Sequence, residues 1–196
     1  MRNRRAPAAA EDAVVIESSW REPERFAVLF DRHAPHIYRY LARRAGRQVA
    51  DDLLAETFLA AFVKRDRYDL GHSDARPWLY GIATNLIGQH RRDEARQFRI
   101  MHAAVAEDAV PGHADRVAAD VSAQAVRTLL GAALAALPSG DRDVLLLIAW
   151  EQLTYREVSS ALGIPVGTVR SRLHRSRTRL RQVLAGTGAA ATYEEI

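Results

Sequence analysis

The stretch Leu153–Arg181, LTYREVSSALGIPVGTVRSRLHRSRTRLR, decides the fold of the second half of the chain. Thr154 stands where a helix N-cap is wanted, and Glu157, three residues on, completes the capping-box spacing. Val158, Ala161 and Leu162 give a short apolar face at helical steps. Gly163 offers the left-handed turn residue that ends a helix, and Pro165 suits the start of the next one. Val166, Val169, Leu173 and Leu180 then form a stripe to bury. Arg170, Ser171, His174 and Arg175 fall on another side, and no acidic residue interrupts residues 165–181. A short helix, a glycine turn and a long basic helix predict a helix-turn-helix whose second helix enters a DNA major groove. The same arginines on a helical hairpin without this turn chemistry would be only a solvated face.

The totals set the frame around this hairpin. A chain of 196 residues fits one large domain or two small ones. Hydrophobic residues make up 48%, enough for ordinary cores. The net charge of +4 is modest, but the positive charge is mostly clustered arginine. Its planar donors suit phosphate and guanine. The absence of cysteine rules out disulfides, thiolate zinc sites and cysteine catalysis, and agrees with a reducing compartment. No apolar run approaches the ~20 residues that span a bilayer. The N-terminal arginines lead into Glu11 and Asp12, not into a long apolar core, so a polar tail is expected in place of a signal peptide.

From the N-terminus, residues 1–23 are expected to form a flexible arm, although Val14–Ile16 could dock. Helical spacing begins at Glu24 with Phe26, Leu29, Phe30, His33, Ile37, Tyr40 and Leu41. Pro35 could kink that helix, and Gly46 breaks it. The segment Val49–Lys64 carries Asp51 and Asp52 in its first turn, where the helix dipole favours negative charge. Leu53, Phe58, Leu59 and Phe62 are its candidate core residues. Asp52 and Glu56 share a face, which in isolation is ordinary solvated surface. A polar loop, Arg65–Arg76, precedes a long helix from Pro77. Trp78, Ile82 and Leu86 make its apolar face, widened by Leu79 and Ala83. Tyr80, Thr84, Asn85, Gln89 and Arg92 lie on other sides, a mixture of rings, amides and arginine suited to single-stranded nucleic acid.

Residues 100–121 read as a linker with a weakly acidic bias around Pro111 and Gly112. Ser122 can cap a following helix in which Val126, Leu129, Leu130, Ala133 and Leu137 face inward, and Pro138 ends it. Asp141–Trp150 forms another, burying Val144, Leu145, Ile148 and Ala149. His33 and His36 lack the carboxylate–histidine spacing of a metalloprotease. Phosphate-binding glycine loops and nucleophile-elbow serines are missing as well. No metal, cofactor or catalytic residue is expected.

The segments DDLLAETFLAAF (Asp51–Phe62), PWLYGIATNLIGQHRR (Pro77–Arg92) and ALPSGDRDVLLLIAWEQLTYREVSSALGIPVGTVRSRLHRSRTRL (Ala136–Leu180), in this order, resemble bacterial RNA polymerase sigma factors of the extracytoplasmic-function (ECF) group. The resemblance covers about residues 24–97 and 125–184. It implies an all-α chain of two small helical domains on a flexible linker: a region-two-like domain over 24–99, the linker 100–121, a region-four-like helix-turn-helix domain over 122–184, and a tail 185–196. It also implies a transcription initiation factor, not an enzyme, that gives core RNA polymerase its promoters and works in the cytoplasm. Asp51, Asp52, Glu56 and Phe58 would then meet the clamp helices of the polymerase's largest subunit. Tyr68, Arg76, Tyr80, Thr84 and Asn85 would capture a non-template base of the −10 element, with Arg91 and Arg92 near phosphates. Arg170, Ser171, His174 and Arg175 would face bases or nearby phosphates of the −35 element. An anti-sigma protein is an expected partner. Two rivals remain at this point: a stand-alone helix-turn-helix regulator, which leaves Asp51–Phe62 unexplained, and a nucleic-acid enzyme built on Asp51, Asp52 and Glu56.

Overall fold

The computed structural model describes residues 11–103 and 123–185, and every long element among them is an α-helix. The helices are α1 (Asp12–Ser18), α2 (Ala27–Ala45), α3 (Arg47–Val63), α4 (Arg76–Ala103), α5 (Ala123–Ala135), α6 (Ser139–Ala149), α7 (Tyr155–Leu162) and α8 (Val166–Ala185). Short 3-10 turns at Pro23–Phe26 and Arg65–Arg67 lead into and out of the α2–α3 pair. Contacts divide the chain into two units. One holds the residues up to His90 with Arg156–Gly163; the other holds Arg91–Tyr155 with the residues from Ile164 onward. The expected linker 100–121 overlaps the end of α4, and its residues 104–121 lie outside the described ones, as does the Ser122 cap.

The first unit is organised by α2. Leu29, Ile37, Tyr40 and Leu41 are buried at helical spacing, as their pattern demands. Pro35 sits inside α2 without dividing it. Gly46, at φ 90°, closes α2 and starts α3, a backbone state that favours glycine. Ala50, Leu53, Thr57, Phe58 and Ala61 form the buried face of α3. Aromatic edges stitch the two helices together: Phe26 meets Phe62 at 5.4 Å and Phe30 meets Phe58 at 4.9 Å between ring centroids.

Two sequence expectations change here. Residues 12–18 of the expected arm are helical, and Ile16 is fully buried. Residues 1–10 lie outside the described ones. The inward face of α4 is also turned from the one expected. Leu79, Tyr80, Ala83, Thr84 and Ile87 are buried, whereas Trp78, Ile82 and Leu86 are half-buried. On this face the Tyr40 and Tyr80 rings meet at 5.3 Å, and a chain of hydrogen bonds runs beside them. Arg44 donates to Tyr40 Oη at 2.8 Å, and Thr84 Oγ1 donates to the Tyr80 carbonyl at 2.7 Å. The Tyr40 hydroxyl, 2.8 Å from Thr84 Oγ1, then supplies the remaining proton. Burial of the Tyr40 and Thr84 hydroxyls costs little because each both donates and accepts.

In the second unit the core comes from Ala133, Leu137, Val144, Leu145, Leu146, Leu147 and Leu153 with Val169 and Leu173 of α8. Ile148 is half-buried and Ala149 exposed, so the buried stripe of α6 lies slightly N-terminal to the expected one. Leu130, expected to face inward, is 37% exposed, and the Val126 side chain lies outside the described ones. Gly163 takes φ 63°, the left-handed state its sequence position called for. Pro165 immediately precedes α8, and its carbonyl accepts from Thr168 and Val169.

Candidate nucleic-acid interface

Helix α8 has a buried and an exposed face, with Val166, Arg172, Thr178 and Leu180 half-buried between them. Val169, Leu173 and Ser176 are buried, while Arg170, Ser171, His174 and Arg175 are all exposed. Ser176 stands where the apolar stripe would continue. Its hydroxyl lies 2.9 Å from the carbonyls of Asp141 and Arg172, so a polar side chain seals the helix–helix seam. Sequence spacing alone gave Ser176 no role.

Arg175 is exposed but not idle. Its Nε and Nη2 grip the two oxygens of Asp141 at 3.0 and 2.9 Å, a bidentate pair. Asp141, in the first turn of α6, is buried, whereas the Arg175 side chain remains 58% exposed. The Asp141 carboxylate holds the guanidinium charged and raises its pKa further. This pair uses the Nε–Nη2 side of the fork and leaves the Nη1 donors and the second Nη2 proton for an outside acceptor. Leu137, Pro138, His174, Arg179 and Gln182 line an open groove of about 620 Å³ beside this pair.

The second surface surrounds the start of α4. The loop before it is pinned from beneath. The buried Tyr68 ring packs 5.0 Å from Trp78, and its hydroxyl donates to the His72 carbonyl at 2.7 Å. Burial, with the charges of Asp12, Asp74 and Asp69, pushes the Tyr68 hydroxyl pKa well up, so it remains a donor. Gly71, His72, Ser73 and Asp74 are exposed, and Asp74 caps the Arg76 N–H at 2.8 Å. Arg76 and Arg91 are half-buried, and Asn85 and Arg92 are exposed. Tyr80 and Thr84, expected on the outward side with Asn85, instead lie inside the bundle, the Tyr80 ring 5.3 Å from Tyr40 and the Thr84 hydroxyl 2.8 Å from the Tyr40 hydroxyl. Tyr68 likewise supports the loop from within.

The third surface is the outer side of α3. Asp51, Asp52 and Glu56 are exposed, and so are Leu59 and Val63, at 63% and 66%. Asp52, Glu56, Leu59 and Val63 recur at four, three and four residues along one face. Phe58, expected on this surface, points inward against Phe30. Leu59, expected in the core, takes the outward place. Of the two candidate core neighbours, Phe58 keeps the inward place because Phe30 of α2 offers it an aromatic edge, and Leu59 turns out.

His33 and His36 do not converge. His36 meets Arg39 at 2.6 Å, and His33 is buried against Asp12. Asp12, His33 and Asp74 each bring one ligand atom within 4.8 Å of the others. Both Asp12 oxygens are already engaged, one by the Arg32 guanidinium at 2.8 Å, which opposes a cation. Among the described residues no helix is long and apolar enough to cross a membrane.

Comparison with known proteins gives these surfaces a context. Residues 29–97 match the family described as Sigma-70 region 2, and residues 121–180 match Sigma-70, region 4. The ECF RNA polymerase sigma factor SigE of Mycolicibacterium smegmatis is 37% identical over 169 residues, covering 80% of this chain and 60% of that protein. The RNA polymerase sigma factor CarQ of Myxococcus xanthus is 37% identical over 164 residues, covering 82% and 90%. The ECF RNA polymerase sigma factor SigW of Bacillus subtilis is 30% identical over 171 residues, covering 83% and 90%. Two solved structures share the fold. The sigma factor RpoE, in complex with the anti-sigma factor NepR from Bartonella quintana, superposes with a TM-score of 0.60 at 22% identity, over 82% of this chain and 96% of that one. CnrH, in complex with the cytosolic domain of CnrY, gives 0.59 at 24% identity, over 90% and 98%.

Proposed function

The chain belongs to the ECF group of RNA polymerase sigma factors, promoter-specific initiators of transcription, and from that premise we propose how its three surfaces divide the work. The observation that carries the proposal is the opposite charge of two of the surfaces. The outer side of α3 is acidic and apolar, whereas the exposed side of α8 is basic.

Asp51, Asp52 and Glu56, extended by Leu59 and Val63, form the docking face for the clamp helices of core RNA polymerase. Phe58 supports that face from below. The loop 68–76 with Asn85 captures a non-template base of the −10 element, and Arg76, Arg91 and Arg92 serve the neighbouring phosphates. A base drawn from the duplex forfeits a few kcal/mol of pairing and stacking, which a fixed cradle must offset. Tyr80 and Thr84 act from inside by holding α4 in place. At the −35 element, Arg170, Ser171 and His174 read base edges. Arg175, its fork edge held by Asp141, contacts a phosphate through its remaining donors.

The protein acts where RNA polymerase is, in the cytoplasm, and performs no catalysis of its own. The domain limits are taken as 24–99 and 122–184, supported by family matches over residues 29–97 and 121–180. An anti-sigma protein that covers the α3 face would switch the factor off; one structural neighbour, RpoE, is described in complex with an anti-sigma factor.

Reconstituted holoenzyme transcribing genomic DNA tests the whole reading. Discrete transcripts with a shared upstream motif are expected. Failure of the intact free chain to bind core polymerase would overturn it. Within that system, Asn85→Ala should impair permanganate-detected melting more than duplex binding. Unchanged melting would remove Asn85 from the capture site.

A further inference from the structure

Asp12 is a buried carboxylate that belongs to none of the surfaces above. Its bonds run in two directions. Toward α2, His33 Nε2 donates to Oδ2 at 2.7 Å and Arg32 Nη1 donates to Oδ1 at 2.8 Å. Toward the loop, the Asp12 backbone N–H donates to the Ser73 carbonyl at 3.0 Å, and Oδ2 accepts the Ala75 N–H at 2.9 Å. A donor and an acceptor of one residue thus fix both sides of Asp74, at the point where loop becomes α4. Ala75 is fully buried, while His72, Ser73 and Asp74 stay exposed. The loop is anchored by its backbone and free by its side chains.

We infer that Asp12 is a positioning residue for base capture: it holds the backbone from Ser73 to Ala75 in a receptive shape before DNA arrives. The inference rests on the reading of loop 68–76 as the capture element. Three features support it. The anchor is a charged acceptor in a buried site, where hydrogen bonds to charged groups are strongest. His33 and Arg32 orient the carboxylate, so it cannot turn away from Ala75 without leaving a buried charge unpaired. The loop ends in exposed side chains, so its order comes from below, through Asp12 and the Tyr68 hydroxyl. A binding loop already in its bound shape loses less conformational freedom on binding. The short helix α1 thereby gains a purpose, since it carries the peg that shapes a surface formed some sixty residues later in the chain.

The test uses holoenzyme made with full-length Asp12→Ala and Asp12→Asn chains. The probe is the single-stranded −10 non-template strand of a promoter mapped from the holoenzyme's own transcripts. Both variants should bind this strand on the order of tenfold more weakly. They should also lose discrimination between the matched strand and one substituted at the captured base, while holoenzyme assembly and −35 duplex binding persist. A merely structural loss would lower both strands alike and leave their ratio intact, so an unchanged ratio overturns the inference. If the alanine variant fails to fold, the isosteric asparagine variant decides alone. A paired His72→Ala/Ser73→Ala chain separates the two claims. If it impairs capture while the Asp12 variants do not, only the role of Asp12 fails. If neither affects capture, the loop reading fails and the inference falls with it.

Discussion

Helices α4 and α8 are both long, basic and expected to touch DNA, yet their polar residues take opposite positions. In α8 Val169 and Leu173 of the expected stripe are buried, Val166 and Leu180 are half-buried, and Arg170 and Arg175 stay exposed. In α4 Tyr80 and Thr84 go in, displacing Trp78, Ile82 and Leu86 to half-buried positions. The difference lies in the facing helix. Helix α2 offers Tyr40 and Arg44, which complete the hydrogen bonds of a buried hydroxyl. The contrast teaches that a polar side chain's position is decided by whether its partners exist across the interface, information that a single helix does not contain.

The contrast can be broken most directly at Tyr80. Truncating a buried aromatic costs ~3–5 kcal/mol, whereas an exposed residue changes stability within about 0.5 kcal/mol. Tyr80→Ala should thus shift the urea midpoint strongly and Arg170→Ala barely at all. Comparable small shifts would mean that α4 does not bury Tyr80.

On α8 the sharper division is between Arg170 and Arg175. Arg170→Ala should change preference among −35 sequences, a loss of ~1–3 kcal/mol against the preferred base. Arg175→Ala should weaken every duplex alike and lower the salt dependence of binding by about one counterion. A base-specific loss at Arg175 would show that DNA pulls the guanidinium away from Asp141. Competition binding across substituted −35 duplexes at several salt concentrations reads both outcomes.

The acid limb of stability tests the buried carboxylate. Burial pushes the Asp12 pKa up, but the hydrogen bonds from His33, Ala75 and Arg32 outweigh it and hold the pKa at about 2, against 3.8 ordinarily. A depressed pKa means that the folded state prefers the ionised form. The contribution is present above about pH 4 and disappears as the pH falls through 2. The shift corresponds to about 2 kcal/mol. Asp12→Asn should flatten that part of the stability–pH curve, as measured by denaturant unfolding between pH 2 and 5; a limb of unchanged slope would place the titration elsewhere.

Much of the architecture was legible because it depends on local signals. Gly46 and Gly163 take the positive φ values that only glycine adopts easily, and Pro138 marks the end of the segment before α6. The exposed arginines of α8 follow directly from its period. What was hidden depended on distant partners. Asp12 reads as a charge in a polar tail until Arg32, His33 and Ala75 surround it. Phe58 and Leu59 are adjacent and both apolar, and only Phe30 determines which of them turns inward. Ser176 fills an apolar position because the Asp141 carbonyl awaits it. In the candidate site, the exposed readers were accessible to sequence reasoning and the residues that hold them were not.

The finest test isolates the hydroxyl chain itself. Tyr40→Phe and Thr84→Val each remove one hydroxyl with little change of shape, so each single variant leaves a neighbouring buried group short of a partner. Arg44 would lose the oxygen that accepts its Nη1 in the first, and the Tyr40 hydroxyl would lose its acceptor in the second. The double variant removes both ends of the 2.8 Å contact together. Its cost should therefore fall below the sum of the singles by about 1 kcal/mol. Coupling of that size would assign the inward turn of α4 to mutual satisfaction of these groups. Strict additivity would assign it to packing of the Tyr40 and Tyr80 rings, 5.3 Å apart, and then α4 would differ from α8 in shape complementarity instead of in polar partners.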